Sequence, residues 1–176
     1  MITFSNTKPG VAGAEQKVKS IQQMALEASL HPIVAEQAEV LVHGVNWKDV
    51  RGCADRINKF CQQYVDYRPD PAGWVRRVEK TKAPWVMLAE LERRSPHFTA
   101  GDCDDHAALA IGLLYTIGIP SGLKITWRDD NRSEEPNHIY ALAWTGSRWI
   151  AMDGTDKSHA VGWEYPHRRE LLYRTP

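Results

Sequence analysis

No stretch of the chain approaches the ~20 consecutive apolar residues that a membrane-spanning helix requires, so nothing in it asks for a bilayer. Net charge is missing too. The 22 Lys and Arg balance 22 Asp and Glu, which leaves no strong field to draw in nucleic acid or anionic lipid. Cysteine is scarce: the three residues, at 53, 61 and 103, are an odd number at spacings that make no disulfide framework, and they point to a reducing compartment. Met1 to Gly13 is polar and lacks the apolar core of a signal peptide, so a cytoplasmic location is expected. Repeats and low-complexity tracts are also lacking. What is there, 43% hydrophobic and 25% charged over 176 residues, is the composition of one ordinary globular domain.

Along the chain, residues 1–13 read as a flexible arm and residues 14–176 as a single domain. Val18, Ile21, Ala25 and Ala28 fall at helical spacing, and Ile33 to Val45 continues in the same style after Pro32. A third helix is expected from about Asp49 to Tyr64, on the stripe Val50, Ala54, Ile57, Cys61 and Tyr64. Two prolines and a glycine break the chain between Tyr67 and Gly73, and a short helix is expected over Pro84 to Arg94. The run Ala107 to Tyr115 is apolar nearly all round and reads as a buried helix, with Asp102 as N-cap and Asp105 completing a capping box. Beyond Pro120 the period becomes two, through Leu123, Ile125 and Trp127, then Tyr140, Leu142 and Trp144, then Ile150 and Met152. Helices first and an antiparallel sheet after them make an α+β fold, with the Cys-bearing helix packed on the sheet.

Capping by Asp102 would make Cys103 the first residue of that helix, at the positive end of its dipole. That setting favours a thiolate, and the exposed N–H groups of the first turn could hold an oxyanion. Asp102, Asp104 and Asp105 oppose it, because neighbouring carboxylates raise a thiol pKa, so a cation such as a histidinium is needed. His138 is the expected source. A hairpin closed by Thr145 opposite Arg148 sets His138 and Asp153 on one face, a diagonal apart, and a register two residues tighter sets them directly opposite. Diagonal neighbours lie roughly 7–8 Å apart at the backbone, within reach of a His–carboxylate hydrogen bond. Cys53 and Cys61 read as core residues. His106 makes a Cys-x-x-His half-site for zinc without a second such pair, and the acids around Cys103 lack the oxygen spacing of an EF-hand loop, so no metal is expected.

Gly101-Asp-Cys-Asp-Asp-His106 ahead of an apolar helix closing in Gly-Ile-Pro120, then Asn137-His-Ile-Tyr140, then Arg148-Trp-Ile-Ala-Met-Asp153, resembles the transglutaminase-like superfamily. The upstream Tyr64 to Pro71 looks like the stretch ahead of the nucleophile in bacterial members. The chain length, the Asp-Cys-Asp-Asp form and Gly162 to Pro166 look most like members from bacteriophage and prophage genomes. The resemblance implies a papain-like fold, with Cys103 as nucleophile, His138 as base and acid, and Asp153 as the residue that orients His138. It further suggests a second oxyanion or substrate contact from Tyr67, Trp74 or Trp85. Gly154 departs from the Pro that many members carry before the residue matching Thr155. The implied activity is attack on a protein or peptide amide through an acyl-thioester, resolved by water or by an amine, with bacterial members tilted toward hydrolysis and no cofactor. A non-catalytic assembly protein that keeps the fold for protein binding is the alternative. The charged loop Arg128 to Pro136 reads as a flap beside the site.

Overall fold

The computed structural model describes residues 2–6, 10–69, 78–93, 98–129 and 135–175. Three helices lead: α1 (Val11–Ala28), α2 (Pro32–Val42) and α3 (Val50–Tyr64). Each starts for a local reason. Gly10 turns into α1 with φ of 72°, Pro32 fills the first-turn position of α2, and the Asp49 side chain accepts from the Gly52 N–H at the start of α3. A fourth helix, α4 (Pro84–Arg93), precedes α5 (Cys103–Thr116).

The main sheet has four antiparallel strands: β5 (Ser121–Arg128), β6 (His138–Trp144), β7 (Trp149–Met152) and β8 (His167–Arg174), in the order β7-β6-β5-β8. Ile139, Ala141 and Ala143 of β6, with Ile150 and Met152 of β7, face the helices and join one core with Leu109, Ile111, Leu113 and Leu114 of α5. Residues one step out of phase, Tyr140, Leu142 and Ala151, form a small cluster under Trp149 on the other face. α5 is the centre of the molecule. Every residue from Asp104 to Leu114 is buried, and the helix touches α1, α2, α3, α4 and β6. Gly112 admits Pro84, since a Cβ there would lie 2.8 Å from the proline ring. The α+β arrangement expected from the sequence is the observed one.

Two small sheets complete the fold. β2 (Val65–Tyr67) runs parallel to β4 (Thr99–Gly101), and β1 (Ile2–Asn6) pairs antiparallel with β3 (Val78–Lys82). Ile2–Asn6 therefore form a strand where a loose arm was expected. The alternation Ile-Thr-Phe-Ser carries a strand signature, and the partner that satisfies its backbone lies more than seventy residues away. None of the described helices is long and apolar enough to cross a membrane.

Candidate active site

Cys103 opens α5, and its setting is built by its neighbours. The Asp102 carboxyl accepts from the Asp104 N–H at 3.2 Å, and the Asp105 carboxylate reaches back to the Asp102 N–H, also at 3.2 Å, closing the capping box. Gly101 is required by that return. A Cβ on it would fall 2.5 Å from the Cβ of Asp105. The other Asp105 oxygen accepts from the Lys82 backbone at 2.6 Å, which ties β3 to the helix start. Asp104, fully buried, takes the Thr81 hydroxyl on one oxygen and the Lys17 ammonium at 3.4 Å on the other.

The three acids do not carry three charges. Burial first, then the hydrogen bond to Asp104 and its charge, push Asp102 well above the carboxylate range. Burial resists ionisation of Asp104 as well, but the hydrogen bond from Asp102, the Lys17 charge and the Thr81 hydroxyl outweigh it and pull it below. Asp105 is pushed up to about 7, mainly by burial. Of the Asp102 and Asp104 pair, Asp104 is the one that favours its charge, and Lys17 faces it.

On the sheet, Trp144 stands opposite Trp149 and Ala141 opposite Met152, the register that closure at Thr145 and Arg148 dictates. His138 and Asp153 therefore share a face, and the His138 Nε2 lies 2.6 Å from an Asp153 oxygen. Both side chains are 3% exposed. A carboxylate only accepts, so Nε2 carries the proton and Nδ1 keeps the lone pair in the neutral ring. The second Asp153 oxygen accepts from the Thr155 N–H at 3.1 Å and from the Thr155 hydroxyl at 2.6 Å. Burial disfavours the Asp153 charge, but the bonds to His138 and Thr155 prevail and hold it below the usual carboxylate range.

Helix and sheet meet at Cys103. The β6–β7 ladder stops at Ala141 and Met152, and two residues back along β6 the Ile139 backbone N–H faces the Cys103 sulfur. Burial, then the charges of Asp104 and Asp102, push the thiol up, while Lys17 and the Ile139 N–H act in the opposite direction. In this setting a thiolate needs a counter-cation at hand.

The remaining site residues are scattered. Tyr67, on β2 opposite Gly101, senses the charges of Cys103, Asp102 and Asp153, and burial leads the causes that push its hydroxyl up to about 12. It belongs to the neighbourhood. Trp85 does not: it stacks on His31 at 5.5 Å, in a groove lined also by Ile33, Val86, Ala89, Glu90 and Arg93. The reason is the seat of Pro84 on Gly112, nine residues past Cys103 and about 13 Å up the helix axis. Trp74 and residues 130–134 of the expected flap lie outside the described residues. Sequence reasoning missed Lys17 and Thr81, which bear no local signal of their distant partner Asp104. It also read His106 only as half of a zinc pair. Among the described residues, two groups of donors lie within 4.8 Å, Asp102 with Cys103 and Asp104, and Glu164 with His167 and Glu170. In both, a lysine already supplies the cation: Lys17 to Asp104, and Lys124 to Glu164 at 2.7 Å and to Glu170 at 2.8 Å.

A family model described as the transglutaminase-like superfamily matches residues 41–154, more than half of the chain, and spans Cys103, His138 and Asp153. Among solved structures, a candidate cysteine protease from Cytophaga hutchinsonii superposes with a TM-score of 0.50 at 14% identity. The alignment covers 81% of this chain and 51% of that one, so the chain spans about half the length of the protein it resembles. No curated protein matches. Neither similarity bears on a bacteriophage origin.

Proposed function

The chain belongs to the transglutaminase-like superfamily, and from that premise we propose that it is a cysteine enzyme acting on protein or peptide amide bonds, with Cys103, His138 and Asp153 as its reacting groups. The observation that carries the reading is the buried 2.6 Å bond between His138 and Asp153, in a strand whose next N–H faces Cys103.

The chemistry follows from the protons. His138 Nδ1 takes the thiol proton, and the imidazolium so formed is stabilised by Asp153 through Nε2–H. The sulfur attacks the carbonyl carbon, and the negative oxygen is held by N–H groups of the first turn of α5, Cys103's own among them. Asp104 N–H is already engaged by Asp102, which makes the Cys103 N–H the natural donor. As the intermediate collapses, the C–N bond breaks and the imidazolium gives its proton to the leaving nitrogen. A thioester remains, and water or an amine, deprotonated by His138, resolves it. Water yields a cut or deamidated chain, and a lysine amine yields a crosslink. The description of the structural neighbour as a candidate cysteine protease favours water.

The test is the pH dependence of Cys103 alkylation, followed by mass spectrometry in the wild type and in His138→Ala, with buried Cys53 and Cys61 as internal controls. Without His138 the sulfur is left to burial and the acids, so its thiolate should emerge only above the ordinary thiol pKa of about 8.5. In the wild type it should react rapidly below pH 7. Equal profiles in the two proteins would remove the thiolate–imidazolium pair and leave a binding protein that kept the fold.

A further inference from the structure

His106 takes no part in the chemistry above, yet it stands beside it. It follows Cys103 by three residues on α5, so the two side chains rise from the same side of the helix one turn apart. The ring is 2% exposed, and among the described residues neither Nδ1 nor Nε2 meets a hydrogen-bonding partner. A buried imidazole always offers one N–H and one lone pair, so leaving both unmade is costly, and an aliphatic side chain would fill the space without that cost. What the ring does here is therefore a matter of its shape and its surroundings.

Its neighbours indicate what. The charges of Asp153, Lys157 and His138 all reach the ring, and the Tyr67 ring lies 6.4 Å away between centroids. The ring also stands beside the residue that follows Asp153. A Cβ on Gly154 would sit 2.8 Å from His106 Nδ1 and 3.0 Å from the Cβ of Cys61. Gly154 has no left-handed φ, so room, and not backbone conformation, is what its missing side chain provides.

We propose that His106 and Gly154 are a matched pair that positions Asp153: the imidazole occupies the volume a side chain at 154 would need, and by bearing on that peptide it sets where the Asp153 carboxylate meets His138. The inference rests on the reading of Cys103, His138 and Asp153 as the reacting groups, and it makes His106 a positioning residue. Burial keeps that ring neutral, its pKa brought down to about 4 against the pull of Asp153 and with help from Lys157 and His138. An uncharged imidazole leaves the Asp153 charge to His138, where a cation would compete for it.

Four proteins test this: wild type, His106→Ala, Gly154→Ala, and the double variant. Two readouts are taken on each, the rate of Cys103 alkylation from pH 5 to 9 and the thermal midpoint. Gly154→Ala should slow alkylation at pH 6.5 on the order of tenfold and move the apparent thiol pKa upward. Removing the ring as well should return the double variant to within about threefold of His106→Ala, since the Cys61 contact that remains needs only a small shift. A Gly154→Ala protein that behaves as wild type, or a double variant as slow as Gly154→Ala, would overturn the pairing. If the midpoints couple while the pH profile stays unmoved, the pair is packing alone and the positioning role falls. Should the wild type show no His138-dependent thiolate, the triad reading has failed separately. The midpoints alone then judge the pairing, and simple additivity would end it.

Discussion

Cys103 has three carboxyl groups behind it and His138 has one, yet the two sides of the site differ less in charge than that count implies. Asp153 is surrounded by donors, two from Thr155 and one from His138, and stays ionised. Behind Cys103, Asp102 and Asp105 are pushed toward their neutral forms, and only Asp104 keeps its charge, opposite Lys17. The same residue type is thus put to two uses. A carboxylate ringed by donors stays charged against an imidazole, whereas carboxyls packed against one another are pushed toward their neutral forms and shape a helix start. The charge that matters at a sulfur is what remains after pairing, not what the sequence counts.

That contrast can be broken experimentally, and the largest effect belongs to the lone acid. Asp153→Asn removes the partner that fixes the His138 tautomer, and turnover should fall roughly 10³–10⁴-fold while the fold persists, as judged by circular dichroism. Lys17→Met leaves Asp104 charged and buried without its ammonium, and should destabilise the protein by about 3 kcal/mol in urea denaturation. Its effect on Cys103 chemistry should be much smaller than that of Asp153→Asn. Comparable losses of turnover in these two variants would mean that the sides act as one network.

The smallest effect is in pH, and there the two sides should differ in sign. Asp105 has its native pKa raised to about 7. Its contribution to stability is fully present below the ordinary carboxylate pKa and is lost as pH rises through 7, about 1 kcal/mol between pH 6 and 8. Asp153, depressed in the native state, contributes above its ordinary pKa and loses that contribution as pH falls through its native value. Stability should depend less on pH between about 4 and 7 in Asp105→Asn, and less below about pH 4 in Asp153→Asn. Matching slopes in the two variants would erase the distinction.

Much of this was legible in the sequence, and the reason is periodicity. The five helices, the capping box over Cys103 and the hairpin parity of His138 and Asp153 each depend on spacings within a few turns or one loop. What was hidden depends on distant partners. β8 carries His-Arg-Arg-Glu before Leu-Leu-Tyr-Arg, a polar edge strand without clean alternation, and only its pairing with β5 defines it. β2 and β4 are three residues each and pair across more than thirty positions. Trp85 looked close to the helix start along the chain, but the seat of Pro84 on Gly112 carries it to the middle of α5. His106 bears no local signal of its approach to Gly154, which only the fold supplies.

α5 is buried on every side from Asp104 to Leu114, and Cys103, half-buried, stands at its N-terminal edge. A sulfur mounted in this way cannot be shifted without remaking the core, so inheritance can hardly tune it. The loop of residues 153–166, by contrast, is held at its outer part by a few polar tethers, Gln62 to the carbonyls of Asp156 and His159, and Arg51 to that of Val161. On the proposed function, descendants of this chain would acquire new substrates by altering that rim while the sulfur is passed on unchanged, and chemistry and taste would be separately heritable.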